Sequence, residues 1–161
     1  MGTQLYVRDD KGAFAAAESE LIVRAAQEVL RRRMRRGATL SSPSLVRAFL
    51  AVTLGDRDCE YFCVILLDGR HRLLKFVELF RGTIDGASVH PREVVKLALE
   101  VGAGAIIAVH NHPSAVGEPS RADEIVTQRL RDALSLVDVR LIDHLIVAGD
   151  EVVSLAERGV L

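Results

Sequence analysis

The chain has 161 residues, of which 49% are hydrophobic and 27% are charged, and its formal net charge is −1. This length fits one domain with a sizeable core, and the composition excludes an intrinsically disordered chain. The small net charge gives no overall electrostatic argument for a nucleic-acid partner. No apolar run approaches the roughly 18 residues of a membrane span and the polar start does not resemble a signal peptide, so we expect a cytoplasmic protein without a membrane partner.

The first forty residues predict a loose arm followed by an amphipathic helix. Apolar residues recur at helical spacing from Ser19 to Arg36, and Gly37 supplies a stop signal. The carboxyl end of this predicted helix is basic, with Arg31, Arg32, Arg33, Arg35 and Arg36. Cations at this end of a helix interact favourably with its dipole and need no ligand, although a weak contact with nucleic acid is an alternative role for these arginines.

A second helix and a β-hairpin are predicted next. Ser42 and Pro43 combine a capping residue with a proline at the first helical position, and Gly55 ends the pattern. The period then changes in residues 60–67 (EYFCVILL) and 72–80 (RLLKFVELF), which are rich in apolar, aromatic and β-branched side chains. Because an Asp-Gly turn signal separates these two runs, we expect them to pair as a hairpin.

Cys59 and Cys63 are the only cysteines of the sequence, and both fall at or near the first of these predicted strands. Alternation would place them on one face but roughly 13 Å apart along the strand. A disulfide requires Cα atoms within about 7 Å of each other. We therefore expect two reduced, buried cysteines that fill the core.

The second half of the chain alternates helices and strands, which predicts an α/β (α+β) fold with a single mixed β-sheet flanked by helices. The predicted elements are a glycine-bearing loop over 81–90, a helix from Pro91 to about Gly102, a buried strand over 105–110, a loop over 113–119, a helix from Ser120 to about Asp138, and strands over 139–147 and 152–155.

The segment over 109–123 reads VHNHPSAVGEPSRAD. If the strand continues through His112, alternation puts His110 and His112 on one face and turns Asn111 away. The following loop reverses the chain, and the first turn of the next helix brings Asp123 back toward the strand end. Two imidazole nitrogens and one carboxylate oxygen are ligands expected for zinc, and three protein ligands leave a fourth position for water.

Simpler interpretations of the same residues exist. Two histidines on a strand are more often surface or packing residues than ligands. Ser120 and Asp123 have the spacing of a capping box, which would also fix the start of the helix and so aim the aspartate. Other zinc enzyme classes do not match, since the sequence contains neither His-Glu-x-x-His nor the Pro-Cys-x-x-Cys of nucleobase deaminases.

The complete string, His-x-His, seven residues, Ser, two residues and Asp, resembles the JAB/MPN (JAMM motif) metalloprotein family. The words EYFCVILLD, ELFRGTIDGASVHPREVVKLALE, AVHNHPS, PSRAD and DHLIVAGD are similar to its RadC branch. The resemblance implies a cytidine-deaminase-like architecture, with an arm and basic helix over 1–40 and a JAB/MPN metal-binding domain over 41–161. The start of the chain does not resemble the helix-hairpin-helix region of full RadC proteins, so we expect the short, prophage- or plasmid-type form.

Resemblance to this family implies roles for individual residues. His110, His112 and Asp123 would ligate zinc, and Ser120 matches the serine that steadies a developing oxyanion. The general base should be a glutamate that opens a strand before an apolar run, which indicates Glu60, with Glu78 as the competitor. The implied function is a zinc-dependent metallohydrolase that cleaves a peptide or isopeptide bond.

Two other functions stay open from the sequence. One is a non-catalytic or DNA-associated zinc module of RadC type, linked to DNA repair or mobile-element maintenance; the other is zinc-dependent action on phosphodiesters. The chain also departs from the usual RadC string HNHPSG, because Ala115 and Val116 replace the glycine and its neighbour. Of the other histidines, we expect His71 in a solvated turn and His90 and His144 in a loop and the core, where either could lie near the metal.

Overall fold

The computed structural model describes residues 4–8, 10–40, 42–82 and 89–161, so most of the predicted loop over 81–90 lies outside the described residues. The described residues form the helices α1 (Ser19–Arg33), α2 (Pro43–Leu54), α3 (Pro91–Val101) and α4 (Arg121–Ser135). The strands are β1 (Tyr6–Arg8), β2 (Phe14–Ala16), β3 (Tyr61–Leu67), β4 (Leu73–Arg81), β5 (Ala105–Asn111), β6 (Arg140–Ala148) and β7 (Glu151–Ser154).

Five of these strands form the mixed sheet that the sequence predicts, in the order β4-β3-β5-β6-β7. Strands β5 and β6 are parallel, because α4 crosses over between them, and the other neighbouring pairs are antiparallel. The predicted hairpin is confirmed as β3 and β4. Parallel pairing brings the carboxyl ends of β5 and β6 to the same edge of the sheet, which is where the candidate site lies.

Helices cover both faces of this sheet. Alternate residues of β3, such as Cys63 and Ile65, pack with α2 residues, among them Leu50, in one core. The residues between them, such as Phe62 and Val64, pack in a second core with side chains of α3 and α4. A strand covered on both faces reads as a continuous apolar run, which explains why β3 shows no polar alternation.

The beginning of the chain differs from its prediction. The prediction of a loose arm is wrong, since β1 and β2 pair antiparallel as a small two-stranded sheet. Gly12 has a φ of 88° in the connection between them, a conformation that suits glycine. Helix α1 ends at Arg33 rather than Arg36. The helix ends earlier because of tertiary contacts. Met34 is buried in the core beneath α2, and the chain then turns so that the Gly37 N–H donates to the Leu73 carbonyl at 2.7 Å.

The two cysteines have different environments. Cys63 is buried in β3, where burial raises the pKa of its thiol to about 12, as expected for a core residue. Cys59 precedes β3 and is only half-buried, and the Arg81 Nε–H donates to its sulfur at 3.2 Å. The prediction that Cys59 is a buried core residue is therefore wrong. Both thiols are free. Among the described residues, the helices include none that is long and apolar enough to cross a membrane.

Candidate metal centre

The two histidines of the His-x-His string lie at the carboxyl end of β5. His110 is 1% exposed and stands opposite Phe62 of β3, on the sheet face that α3 and α4 cover. His112 follows the last residue of β5, but its N–H still donates to the Val147 carbonyl of β6 at 2.8 Å. The extended conformation therefore continues to His112, and alternation brings both rings to the same side as predicted.

Asp123 reaches this point from the first turn of α4. Its backbone N–H donates to Ser120 Oγ at 3.2 Å, and its carboxylate Oδ2 accepts from the Ser120 N–H at 2.7 Å, which completes a capping box. The Ser120 hydroxyl also donates to Asp123 Oδ2, at 2.6 Å. The cap thus fixes both the helix start and the carboxylate that faces the histidines.

The three side chains come together at the distances expected of metal ligands. His110 Nε2 lies 3.0 Å from His112 Nε2 and 3.1 Å from Asp123 Oδ1, and His112 Nε2 lies 3.6 Å from Asp123 Oδ2. Zinc bonds of about 2.0–2.1 Å at tetrahedral angles would separate ligand atoms by roughly 3.3 Å. These residues could therefore hold a metal ion, and within the described ranges no fourth His, Cys, Asp or Glu belongs to the group.

Electrostatics keep the carboxylate of this group ionised. Burial acts to raise the pKa of Asp123, but the hydrogen bond and charge of His110, together with hydrogen bonds from Ser120, outweigh it and hold the pKa well below its usual range. The anionic form is the form that ligates a metal. Asp123 thus offers a charged oxygen between two imidazoles without further rearrangement.

His110 and His112 both direct Nε2 at the candidate ligand group, because Nδ1 of each ring contacts a residue outside it. His112 Nδ1 donates to the Val116 carbonyl at 2.6 Å, in the loop that departs from the usual RadC string. His110 Nδ1 lies 2.9 Å from His144 Nε2. His144 is fully buried in β6, and burial, aided by the charge of His110, lowers the pKa of its ring to about 3. It is both a core residue and a neighbour of the site.

The loop between β5 and α4 contains a backbone conformation that suits glycine better than its actual residue. Ala115 has a φ of 55°, in the left-handed region, at the position where RadC sequences usually carry glycine. Its N–H still donates to the His112 carbonyl at 3.0 Å, so the turn itself is formed. Alanine at this position therefore stores local strain in the backbone close to His112, and the three side chains of the candidate site still come together.

Ala115→Gly should raise the free energy of unfolding by about 0.5–1 kcal/mol, because the strain of a left-handed alanine exceeds the extra chain entropy of glycine. Urea unfolding of the two proteins measures this difference. Ala133→Gly, inside α4, is the matched control and should lose about 1 kcal/mol. Destabilisation by both substitutions to a similar extent would contradict the strain at Ala115.

The two candidate bases lie on different faces of the sheet. Extending the register of β3 against β5 by two residues puts Glu60 opposite His112, and the Gly82 N–H donates to the Glu60 carbonyl at 2.7 Å, so the chain is still paired there. Glu78 instead pairs with Cys63 beside a β-bulge, on the α1/α2 face, and its carboxylate lies 3.1 Å from Arg57. By this register Glu60, and not Glu78, falls on the face of the sheet that carries His110 and His112.

Asn111, which points away from the site, is the residue that holds the backbone around Glu60. Its Oδ1 accepts from the Tyr61 N–H at 2.8 Å, and its Nδ2 donates to the Cys59 carbonyl at 3.1 Å. These two bonds fasten the residues on either side of Glu60 to the ligand strand. Sequence reasoning missed this role, since the only signal was an amide between the two histidines.

Neither His71 nor His90 belongs to the group of His110, His112 and Asp123. His71 is exposed in its turn, as predicted, with its Nε2 3.0 Å from an Arg140 guanidinium nitrogen. His90 precedes α3 and packs edge-on against Phe80, with ring centroids 5.9 Å apart. The arginines of the basic run are exposed at the end of α1 and just beyond it, on the other side of the sheet, and Arg32 pairs with Glu28 at 3.0 Å.

Comparison with known proteins agrees with this arrangement. A family model described as the RadC-like JAB domain matches residues 40–160. A UPF0758 protein of Thioalkalivibrio sulfidiphilus (strain HL-EbGR7) is 53% identical over 150 residues, which cover 93% of this chain and 67% of that protein. UPF0758 proteins of Shewanella amazonensis and Shewanella baltica are each 54% identical over 149 residues, covering 92% of this chain and 64% of theirs.

The fold defines an α/β domain of the JAB type, with a group of three side chains that could hold a metal ion. The chain belongs to the RadC-like JAB domain family, as the matches show. It spans about two thirds of the length of the curated relatives it matches.

Proposed function

We propose that the chain is a zinc-dependent hydrolase that cleaves a peptide or isopeptide bond. The observation that carries this proposal is the convergence of three possible ligand atoms at the carboxyl end of β5. The register of β3 and β5, extended by two residues, puts Glu60 opposite His112. A set of three protein ligands with a carboxylate beside it is the arrangement of a catalytic zinc site, whereas a structural zinc has four protein ligands.

The choice of zinc rests on the donor set. Imidazole nitrogens suit zinc better than magnesium or calcium, which prefer all-oxygen sites, and the third ligand is a single carboxylate. His110, His112 and Asp123 would hold the ion. When bound, zinc would act as a Lewis acid that polarises a carbonyl group and acidifies water.

The side chains around the metal position supply the proton transfers. Glu60 would accept a proton from the attacking water and deliver it to the leaving amine nitrogen, as a general base and then a general acid. Ser120 would donate to the oxygen that becomes negatively charged. Its hydroxyl now donates to Asp123 Oδ2, so this role requires the hydroxyl to rotate toward the substrate.

An amide substrate is favoured over a phosphodiester. Metal-dependent nucleases and phosphatases commonly use two ions about 3.5–4 Å apart, and each ion needs its own ligands. The part of the chain that the structure describes contains one group of three ligand-type side chains. One ion with an adjacent carboxylate is instead the arrangement of metallopeptidases.

The test is turnover by the purified, zinc-loaded protein on a panel of fluorogenic peptides and of peptides joined through a lysine ε-amine. We expect cleavage that stops when 1,10-phenanthroline removes the metal and returns when zinc is restored. A bis(nitrophenyl) phosphate substrate serves as the phosphodiester control and should stay intact. Stoichiometric zinc without turnover of any amide would favour the non-catalytic zinc module, and cleavage of the phosphate control alone would favour the phosphodiester function.

A further inference from the structure

A chain of hydrogen bonds leads from the backbone of α4 to a ligand nitrogen. The Thr127 hydroxyl contacts the Asp123 carbonyl at 2.5 Å and His144 Nδ1 at 2.5 Å. His144 Nε2 then lies 2.9 Å from His110 Nδ1. Thr127 and His144 are each no more than 1% exposed, so water does not compete for these contacts.

Only one arrangement of protons satisfies all of these contacts. A carbonyl oxygen can only accept, so the single hydroxyl proton of Thr127 is donated to Asp123, and the hydroxyl oxygen must accept from His144 Nδ1–H. A neutral imidazole carries one N–H, and therefore His144 Nε2 is an acceptor. The proton of the last contact must then belong to His110 Nδ1. In the neutral ring, which is the form that ligates a metal, the lone pair is therefore on His110 Nε2 and points at the ligand group.

We propose that Thr127 and His144 are positioning residues that fix the ring protons of His110, so that its Nε2 is the nitrogen available to a metal. This inference rests on the metal site of the proposed function and adds the buried groups that prepare it. An outer partner on the second ring nitrogen is the usual way in which proteins set the orientation and basicity of a ligating histidine. Here the partner is another imidazole, whose own proton is in turn fixed by a threonine.

The same Thr127 ties the two halves of the site together. Its hydroxyl bonds to the carbonyl of Asp123, so the helix turn that carries the carboxylate ligand and the strand that supports His110 share one anchor. Phe62 packs edge-on against the His144 ring, with centroids 5.7 Å apart, which restricts rotation of that ring. Loss of the threonine hydroxyl would leave the His144 Nδ1–H without an acceptor in a buried position and would favour its other tautomer. That tautomer would present an N–H to the His110 N–H.

The experiment compares Thr127→Val, which removes the hydroxyl but keeps the shape, with Thr127→Ser, which keeps the hydroxyl. Zinc affinity is measured by competition with a chromophoric chelator. We expect affinity to fall roughly 10–100-fold in Thr127→Val and in His144→Leu, and to stay near the parent value in Thr127→Ser. Leu130→Val, in the same core one turn along α4, is the control for a general loss of packing and should bind zinc like the parent.

Long-range ¹⁵N–¹H NMR of the histidine rings, with and without zinc, separates this inference from the proposed function. We expect the parent His144 to carry its proton on Nδ1 in both states and zinc to bind His110 through Nε2. A His144 proton on Nε2, zinc bound through His110 Nδ1, or unchanged affinity in Thr127→Val would overturn the proposal. A parent that binds no zinc at all would contradict the proposed function, while the proton position on His144 would still decide the hydrogen-bond chain.

Discussion

Glu60→Gln should lower turnover of a cleavable peptide or isopeptide substrate by roughly 10²–10⁴-fold while zinc stays bound. Glutamine keeps the shape of the side chain but has no oxygen basic enough to take a proton from water. The neighbouring backbone should not move, because the Asn111 side chain still bonds to both Cys59 and Tyr61. Steady-state kinetics, with zinc content measured on the same samples, give the result.

Glu78→Gln is the matched control, since Glu60 directly precedes β3 and Glu78 lies in β4, and the register puts only Glu60 on the face that carries the histidines. This variant should keep full activity and lose only the exposed ion pair with Arg57, which contributes at most about 1 kcal/mol. The reverse pattern, with activity lost in Glu78→Gln alone, would move the base to Glu78. If both variants turn over substrate like the parent, general-base catalysis by either glutamate is wrong.

His112→Ala should abolish stoichiometric zinc binding. Structural zinc sites with four ligands contribute about 10–16 kcal/mol of binding free energy, so the loss of one of three ligands should weaken affinity by at least about 10²-fold. His112 is also the most exposed of the three side chains, and its removal leaves the contacts of His110 with Asp123 and His144 in place. Elemental analysis after dialysis measures the zinc retained for each chain.

His71→Ala is the control for this substitution, because His71 is exposed in a turn and contacts Arg140 rather than the ligand group. Zinc should also raise the unfolding temperature of the parent and of His71→Ala, since a ligand that binds only the folded state stabilises it by about 2.7 kcal/mol at a hundredfold excess over Kd. His112→Ala should show no such rise. Full zinc retention by His112→Ala would refute the ligand assignment.

The parts of the site that lie close in sequence could be predicted from the sequence alone. Two-residue alternation along a strand places His110 and His112 on one side, and the spacing of Ser120 and Asp123 is that of a helix cap. The hairpin of β3 and β4 was readable for the same reason, because a short apolar run, a turn and a second apolar run are local signals. The helix boundaries at Pro43, Pro91 and Gly102 follow from backbone preferences of single residues.

Contacts between distant segments were decided by the tertiary structure. His144 meets His110 across 34 residues, and Asn111 reaches the Glu60 segment across about 50, because strands pair in registers that no local pattern specifies. The separation of Glu60 from Glu78 depends on a bulge opposite Cys63. The early end of α1 likewise depends on burial of Met34 under α2. The residue types of the candidate metal site could thus be predicted from the sequence. The buried contacts that orient these residues could not, since only packing brings separate strands and helices within hydrogen-bonding distance.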